Sequence, residues 1–295
     1  MRMWKRCLVV IGVLGVAAVP LRPDAAGAAT KNPVFHPPSQ YYLALGDSLA
    51  FGFQEAKFLG EVGSGTYDPA SFNTGYDANF AAALQPFAPG GHSTEVNYGC
   101  PGETTGSMVN GGCAFHFGFA LHNEYPLAES QLQAAVAFLQ AHPHKVNPIT
   151  LDIGANDLLQ LNGSCGGDPG CIAAGLPATI ATMEANVDQI LTTLHNAAPG
   201  AEVIAMNVPD PFEFTAPASL QVFGAYDHGL DGVLAQHKVR LVDAFSFVAS
   251  LDQATFCALT AVCTPPLFDI HPTDAGYAEL AQFFFLASGY GVLQP

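Results

Sequence analysis

The chain has 295 residues, with 9 basic and 25 acidic side chains and a formal net charge of −16. A negative charge of this size repels phosphate backbones and anionic membrane surfaces, so it argues against a nucleic-acid partner and against tight docking on anionic lipid. Hydrophobic residues make up 49% of the chain, which is enough to bury the core of a single domain of ordinary size.

The N-terminus has the pattern of a secretory signal peptide. Basic residues precede a short apolar run over residues 7–19, and small residues follow it. We therefore predict an exported protein in which residues 1–29 are removed by cleavage after Ala28 or Ala29; a retained membrane anchor is the alternative. The mature chain would keep 5 basic and 24 acidic side chains, a net charge of −19, and no membrane-spanning segment.

Short apolar runs and helix-period segments alternate after an extended leader over residues 30–39. In chain order they predict a strand at 41–45, a helix at 76–84, a strand at 95–98, a helix at 126–140, a strand at 148–153, a helix with an apolar stripe from Ile180 to Leu194, a strand at 202–208, a helix at 229–237, a strand at 240–243 and a helix at 273–288. This alternation predicts one α/β domain over residues 40–295, with a parallel sheet of about five strands covered by helices on both faces.

Two long segments, residues 53–73 and 106–125, lack a clear period and are rich in glycine and aromatic residues. We predict loops there, and loops of this length in a compact domain are usually functional. The aromatic residues considered for an apolar substrate cleft are Phe51, Phe53, Phe115, Phe117 and Phe119. Membership of the core is the alternative for all five.

The cysteine pattern agrees with export. Cys7 would leave with the signal peptide, and the six that remain are an even number, as expected for disulfides in an oxidising compartment. Six cysteines allow 15 pairings, but these six are grouped in three close-spaced pairs. We predict the bridges Cys100–Cys113, Cys165–Cys171 and Cys257–Cys263. Zinc binding is the alternative, although neither C-x-x-C nor a cysteine–histidine ligand spacing occurs, and we predict no metal and no organic cofactor.

A serine follows the first predicted strand, in the sequence Gly46-Asp47-Ser48-Leu49. The carboxyl ends of parallel strands are where α/β sheets bind ligands, and Gly46 permits a sharp turn at this point. Ser48 is therefore a candidate nucleophile at the start of a helix. The alternative is that Asp47 and Ser48 only cap that helix, which is an ordinary role for both residue types.

Two hydrogen-bond donors follow the second and third predicted strands. Gly102 lies in the loop after the second strand, where a glycine can bring its backbone N–H close to a substrate oxygen. Asn156 follows the third strand, in Gly154-Ala155-Asn156-Asp157, and offers a side-chain amide. Both residue types are also ordinary turn formers, so neither identifies a site by itself.

A histidine stands directly before the last predicted helix, in Asp269-Ile270-His271-Pro272. That helix begins near Thr273, so the imidazole can point back over the sheet edge toward Ser48. Most histidines are surface residues, but none of the other nine here has an acid two residues before it and a proline after it. We therefore interpret His271 as a candidate general base.

Serine, glycine, asparagine and histidine in this order resemble the SGNH hydrolase family, also called GDSL esterases and lipases. The resemblance covers roughly residues 40–290 and implies a flavodoxin-like three-layer α/β/α sandwich. It also implies that Ser48 is the nucleophile, that His271 is the general base, and that the oxyanion hole is formed by the Ser48 N–H, the Gly102 N–H and the Asn156 side chain.

The acidic residue departs from the pattern of this family. The family usually has its acid three residues before the histidine, where this chain has Phe268, whereas Asp269 stands two residues before. Residues two apart in an extended segment point the same way, so Asp269 can still reach the imidazole. The alternative is a dyad in which a main-chain carbonyl near Phe268 orients the ring.

Together these features predict a secreted serine hydrolase that cleaves neutral carboxylic esters through an acyl-enzyme on Ser48. The substrate would be a short acyl ester, a lipid or an acetylated glycan, and the sequence does not distinguish them. An acyltransferase that uses the same site and a catalytically silent surface-binding module are the alternatives. A serine protease fits the motifs less well, and we expect a monomer.

Overall fold

The structure, a computed structural model, describes residues 36–293. The predicted signal peptide, residues 1–29, lies outside the described residues, as does the first part of the predicted leader. Residues 36–39 carry no regular secondary structure. They run beside the sheet, where the Ser39 N–H donates a hydrogen bond to the Asn147 carbonyl at 2.8 Å.

Five strands and eleven α-helices are formed by the described residues. The strands are β1 Tyr41–Gly46, β2 Thr94–Asn97, β3 Val146–Asp152, β4 Val203–Met206 and β5 Arg240–Val242. The helices are α1 Ser48–Phe51, α2 Glu55–Ser64, α3 Tyr76–Leu84, α4 Thr105–Asn110, α5 Gln131–Ala141, α6 Ala155–Ser164, α7 Pro169–Ala197, α8 Ser219–Gln236, α9 Ala244–Ala249, α10 Gln253–Leu259 and α11 Asp274–Ser288.

The strands form one parallel sheet in the order β2-β1-β3-β4-β5. This is the flavodoxin-like order, in which the ligand site lies at the carboxyl ends of the strands near β1 and β3. Every residue of β3 is buried, as expected for a strand covered on both faces. The predicted fold class, a three-layer α/β/α sandwich with five parallel strands, is confirmed.

Side chains of β1 alternate between two cores, one on each face of the sheet. Leu43 and Leu45 belong to the core formed with α4 to α8, whereas Tyr42 and Ala44 belong to the core formed with α1, α3 and α11. The predicted apolar stripe on α7 lies in the first core, where it packs against α8. The helices therefore hold the end of β1 firmly from both sides.

Several helix boundaries differ from the prediction for local reasons. Helix α5 begins at Gln131 and not near residue 126, because the Ser130 side chain caps it by accepting from the Gln133 N–H at 3.1 Å. The predicted helix at 229–237 is only the second half of α8, which already begins at Ser219. Helices α6, α9 and α10 were not predicted.

The prediction of loops at 53–73 and 106–125 was wrong in part. The first segment contains α2, and the second begins inside α4. Helix α2 has no buried residue, and Gly60 and Gly63 face open space. Its apolar contacts come mainly from Phe58, which packs on Phe53 and Phe115 with ring centroids 5.2 and 5.4 Å away. The two glycines weaken the helical signal of this segment in the sequence.

The six cysteines are joined as Cys100–Cys113, Cys165–Cys171 and Cys257–Cys263, the three pairs expected from their spacing. The first bridge closes the loop that contains Gly102, and the third closes the end of α10. Across residues 36–293, none of the helices combines the length and the apolar character needed to cross a bilayer.

Candidate active site

Ser48 is the first residue of α1, directly after the turn that ends β1. Asp47 caps this short helix, because its Oδ1 accepts from the Leu49 N–H at 3.0 Å. Gly46 has a φ of 148°, and a Cβ at this position would lie 2.3 Å from the Asp152 carbonyl oxygen on β3. The close approach of β1 and β3 thus requires glycine here and fixes where Ser48 emerges.

His271 lies within hydrogen-bond distance of Ser48, although 223 positions separate them in the chain. The distance from Ser48 Oγ to His271 Nε2 is 2.9 Å. The edge of the Phe53 ring packs against the imidazole, with ring centroids 5.0 Å apart, and the histidine side chain keeps only 13% of its surface exposed. The structure therefore brings together the serine and the histidine that the sequence singled out.

The loop that carries His271 is fastened to the end of α10. Thr260 and Pro272 form an antiparallel bridge. The Ala261 N–H donates to the His271 carbonyl at 2.9 Å, and the Thr273 N–H donates to the Leu259 carbonyl at 2.9 Å. Because the Cys257–Cys263 bridge closes the same part of the chain, the backbone around the imidazole is held by both hydrogen bonds and a covalent ring.

Asp269 contacts the other nitrogen of the imidazole. Its Oδ1 lies 2.5 Å from His271 Nδ1 and also accepts from the His271 backbone N–H at 3.2 Å. Its Oδ2 accepts from the Glu55 N–H at the start of α2, at 2.7 Å. A proton on Nδ1 leaves Nε2 free to accept the Ser48 hydroxyl proton, so this contact favours the tautomer that a general base needs.

Electrostatics favour a charged carboxylate at Asp269. Burial alone would raise the pKa of this carboxyl, but the hydrogen bond and charge of His271, with the backbone N–H donors, outweigh burial and hold the pKa below its ordinary value. The opposite holds for Asp47 and Asp152 beneath the serine. Burial raises the pKa of both, and the charge of Asp47 adds to the effect on Asp152.

Gly102 and Asn156 line the same cavity as Ser48 and His271. Gly102 has a φ of 83° and open space where a Cβ would stand, so its backbone is accessible to a ligand. The Asn156 amide donates to the Glu103 carbonyl at 2.9 Å and to Asp47 Oδ2 at 3.2 Å. Both residues thus lie where the sequence predicted, with the Asn156 amide fixed between the serine turn and the Gly102 loop.

A buried glutamine, not identified from the sequence, connects these parts of the site. Gln131 on α5 accepts from the Gly46 N–H at 2.7 Å through Oε1. Its Nε2 donates to the Gly46 carbonyl at 2.9 Å and to Glu103 Oε2 at 3.0 Å. Burial raises the pKa of Glu103 to about 7. Only the position of Glu103 beside Gly102 could have suggested its role, and nothing in the sequence marks Gln131.

The serine opens onto a cavity of about 270 Å³. Of the five phenylalanines considered for an apolar cleft, Phe53 alone lines this cavity. Phe51 and Phe115 belong to a neighbouring aromatic cluster, with ring centroids 5.6 Å apart, and Phe119 packs on Phe115. Phe117 is 62% exposed. The core alternative is therefore correct for Phe51. Helices α9 and α10 contribute Phe247, Val248, Phe256 and Leu259 to the apolar wall of the cavity.

Among the described residues, one group of metal-ligand types is close enough to share a cation, namely Cys100, Glu103 and Cys113. Its two sulfur atoms are joined in a disulfide. A disulfide sulfur is not a thiolate and does not ligate zinc as one. The geometry therefore gives no donor set for a metal at this position.

Comparison with known proteins agrees with this site. The model of the GDSL-like lipase/acylhydrolase family matches residues 44–279. No significant match to the sequence was found among curated proteins. The match to the family spans Ser48, Gly102, Asn156, Asp269 and His271.

Solved structures with a similar fold include three hydrolases. They are phospholipase A1 from Streptomyces albidoflavus NA297 (21% identity, TM-score 0.53, 83% of this chain and 98% of that chain), the acetylxylan esterase Axe2 from Geobacillus stearothermophilus (16%, 0.53, 86% and 95%), and LAE5, an alpha/beta hydrolase enzyme from the metagenome of Lake Arreo, Spain (18%, 0.53, 86% and 97%). At these identities the likeness concerns the fold. The match to the family model covers most of the chain, and the protein therefore belongs to the GDSL-like lipase/acylhydrolase family.

Proposed function

We propose that the protein hydrolyses neutral carboxylic esters, with Ser48 as nucleophile, His271 as general base and Asp269 as the residue that orients the base. The observation that carries this proposal is the continuous hydrogen-bonded line from Ser48 Oγ through both imidazole nitrogens to the Asp269 carboxylate. A nucleophile, a base and an orienting group in this arrangement are the general signature of serine hydrolysis.

In the first half of the reaction, His271 Nε2 takes the Ser48 proton while Oγ attacks the ester carbonyl carbon. The carbonyl electron pair moves onto the oxygen, which the Ser48 N–H, the Gly102 N–H and the Asn156 amide stabilise. The intermediate collapses, the alcohol leaves with the proton from His271, and the acyl group stays on Ser48. Water then repeats the sequence and releases the acid.

In the reaction the Asn156 amide has to donate to the oxyanion, although both of its N–H groups already donate to other acceptors in this structure. Its bond to Asp47 is longer than its bond to the Glu103 carbonyl, so an arriving oxyanion competes with Asp47 for that N–H. Burial raises the pKa of Asp47. This carboxyl is therefore less readily ionised, and it competes less strongly than a charged carboxylate would for the Asn156 N–H. A donor of this kind lowers the barrier by about 3 kcal/mol.

Labelling with a fluorophosphonate tests the nucleophile. We expect one adduct on the native protein, seen as a single mass shift of the intact chain, and none on Ser48→Ala or His271→Ala. Ser64→Ala, at an exposed serine on α2, serves as the matched control and should label like the native protein. An unlabelled native protein, or a Ser48→Ala protein that still labels, would contradict the proposal and favour a silent binding module.

Hydrolysis is distinguished from acyl transfer by its products. In the presence of glycerol we expect free acid to remain the main product of ester turnover, because the cavity beside Ser48 is open to solvent and water reaches the acyl group through it. Glyceryl ester as the dominant product would instead identify an acyltransferase.

We also propose that the chain is exported and cleaved after Ala28 or Ala29. Three disulfides among the described residues support this, because such bridges persist in oxidising compartments. N-terminal sequencing of protein recovered outside an expressing bacterium should begin at Ala29 or Thr30. An intracellular product that retains Met1 would contradict this prediction.

A further inference from the structure

We propose that the cavity beside Ser48 holds the acyl chain of the ester, and that the preferred substrates are esters of apolar acids of roughly six to ten carbons and not acetates on a glycan. The inference rests on the proposed ester hydrolysis and adds the substrate class to it. It follows from the shape of the cavity, the polarity of its walls and its position relative to the serine.

The walls of the cavity are apolar where they leave the reacting groups. The turn after α9 supplies Leu251, α9 itself supplies Val248, and α10 supplies Phe256 and Leu259. Phe223 of α8 also lines the cavity. Burying one methylene against such walls favours binding by a constant increment, so affinity should rise with each carbon until the cavity is full.

Apart from the proposed catalytic residues and Asp47, the cavity wall has two polar side chains, Asp210 and Thr260. Both already form hydrogen bonds within the protein. Both carboxylate oxygens of Asp210 accept hydrogen bonds, one from the Phe212 N–H at 2.8 Å and one from the Ser219 hydroxyl at 2.5 Å. The Thr260 hydroxyl donates to the Phe256 carbonyl at 2.9 Å. Sugar hydroxyls would therefore find few partners along this wall, and burying them incompletely paired is costly, whereas an alkyl chain needs none.

The volume sets the length of the chain. A cavity of about 270 Å³ has room for about nine groups of the size of a water molecule, at roughly 30 Å³ each. An acetyl group would leave most of this space unfilled, so the apolar walls of the cavity would gain few contacts with it. A chain of more than about ten carbons would have to leave the cavity at its open side.

The wall of the cavity is also fixed in position relative to His271. Leu259 and Thr260 line the cavity, and the same short segment pairs with the backbone of Pro272 and Thr273 beside His271. A chain that fills the cavity therefore fixes the ester carbonyl relative to both Ser48 and the imidazole. Such positioning raises the rate as well as the affinity.

The test is a series of nitrophenyl esters from acetate to dodecanoate. For the native protein, kcat/KM should rise by up to about fourfold per methylene and reach its maximum between six and ten carbons. Leu251→Trp, which fills the cavity, should lower the ratio of kcat/KM for octanoate to that for acetate at least tenfold. Leu251→Ala, which enlarges it, should move the maximum to longer chains.

Leu286→Trp and Leu286→Ala are the matched controls, because Leu286 on α11 is 70% exposed; both should keep the native profile. A native maximum at acetate, or Leu251 variants with an unchanged octanoate-to-acetate ratio, would overturn the inference. If the tryptophan variant does not fold, the alanine variant decides. Fluorophosphonate labelling separates the two proposals, since a protein that labels but prefers acetate refutes only the acyl-chain assignment.

Discussion

Asp269 reaches the imidazole through a local turn. Its Oδ1 accepts from the backbone N–H of His271 as well as from the ring, and an aspartate that bonds to the backbone two residues ahead forms an Asx turn. Phe268, which occupies the usual position of the family's acid, has a φ of 51° and is 56% exposed. The chain therefore bends at Phe268, and the acid two residues before the histidine comes into contact with it.

Asp269→Asn tests whether this carboxylate orients the base. We expect kcat/KM for a nitrophenyl ester to fall by about 10²- to 10⁴-fold, because an asparagine cannot stabilise the imidazolium and favours the wrong tautomer. Asp168→Asn, at the exposed cap of α7 where asparagine caps equally well, should keep native activity. A loss of less than tenfold at Asp269 would assign the orienting role to the backbone.

At the level of elements, the end of β1 is fixed by a helix that is distant in sequence. Gln131 on α5 bonds to both the N–H and the carbonyl of Gly46, and through Glu103 it also contacts the Gly102 loop. The side-chain amide takes the place of a neighbouring strand for the Gly46 N–H, while the Gly46 carbonyl also accepts from the Cys100 N–H at 3.1 Å. The turn that presents Ser48 and the loop that presents Gly102 are thus linked by one residue that is 1% exposed.

Gln131→Met removes this link and keeps the volume of the side chain. We expect the free energy of unfolding to fall by about 2 to 4 kcal/mol, because the buried Gly46 N–H and the Glu103 carboxyl lose partners. We also expect kcat to fall more than KM rises, since the groups displaced act on the reaction and not on the acyl chain. Urea denaturation and ester kinetics measure both effects, with Gln140→Met on the exposed side of α5 as the control. If Gln131→Met lowers the free energy of unfolding but leaves kcat and KM at their native values, the residue contributes to folding and not to the reaction.

The elements that the sequence predicted correctly are those with a buried apolar pattern. Strands β1, β3 and β4 and helix α7 carry such a pattern. The glycine and polar residues that follow the strands located Ser48 and Asn156. Helices α2 and α10 were missed because α2 has no fully buried residue and contains two glycines, and because α10 is short, so neither leaves a strong periodic signal. The acyl-chain wall could not be predicted, because it depends on how α9 and α10 pack against the sheet edge.

The molecule as a whole combines a negative surface with several buried acids. Burial raises the pKa of Asp47, Asp77, Asp152 and Asp227, the last to about 8, and raises that of Glu103 to about 7. For an acid with a raised pKa, the folded state binds the proton more tightly than the unfolded state. The stabilisation is complete below the unfolded pKa and is lost as the pH rises through the folded pKa. The protein should therefore be more stable in mild acid than in mild alkali.

Glu103→Gln isolates one of these groups. Between pH 4.5 and pH 8 the free energy of unfolding of the native protein should fall by about 3 kcal/mol more than that of the variant, as follows from a pKa near 7 in the fold and 4.5 in the unfolded chain. Urea denaturation across this range measures the difference, with the partly exposed Glu129→Gln as control. Parallel curves for the native protein and Glu103→Gln would show that Glu103 keeps an ordinary affinity for protons.

The covalent ring between Cys257 and Cys263 has a consequence for any attempt to alter specificity. One face of this ring lines the cavity beside Ser48, and its backbone is paired with the loop that carries His271. Grafting a longer or shorter ring would move the base together with the pocket, so selectivity and speed would change in the same step. Exchange of single side chains on the inner face leaves that pairing intact, and it is the route by which chain-length preference can be tuned while the chemistry is kept.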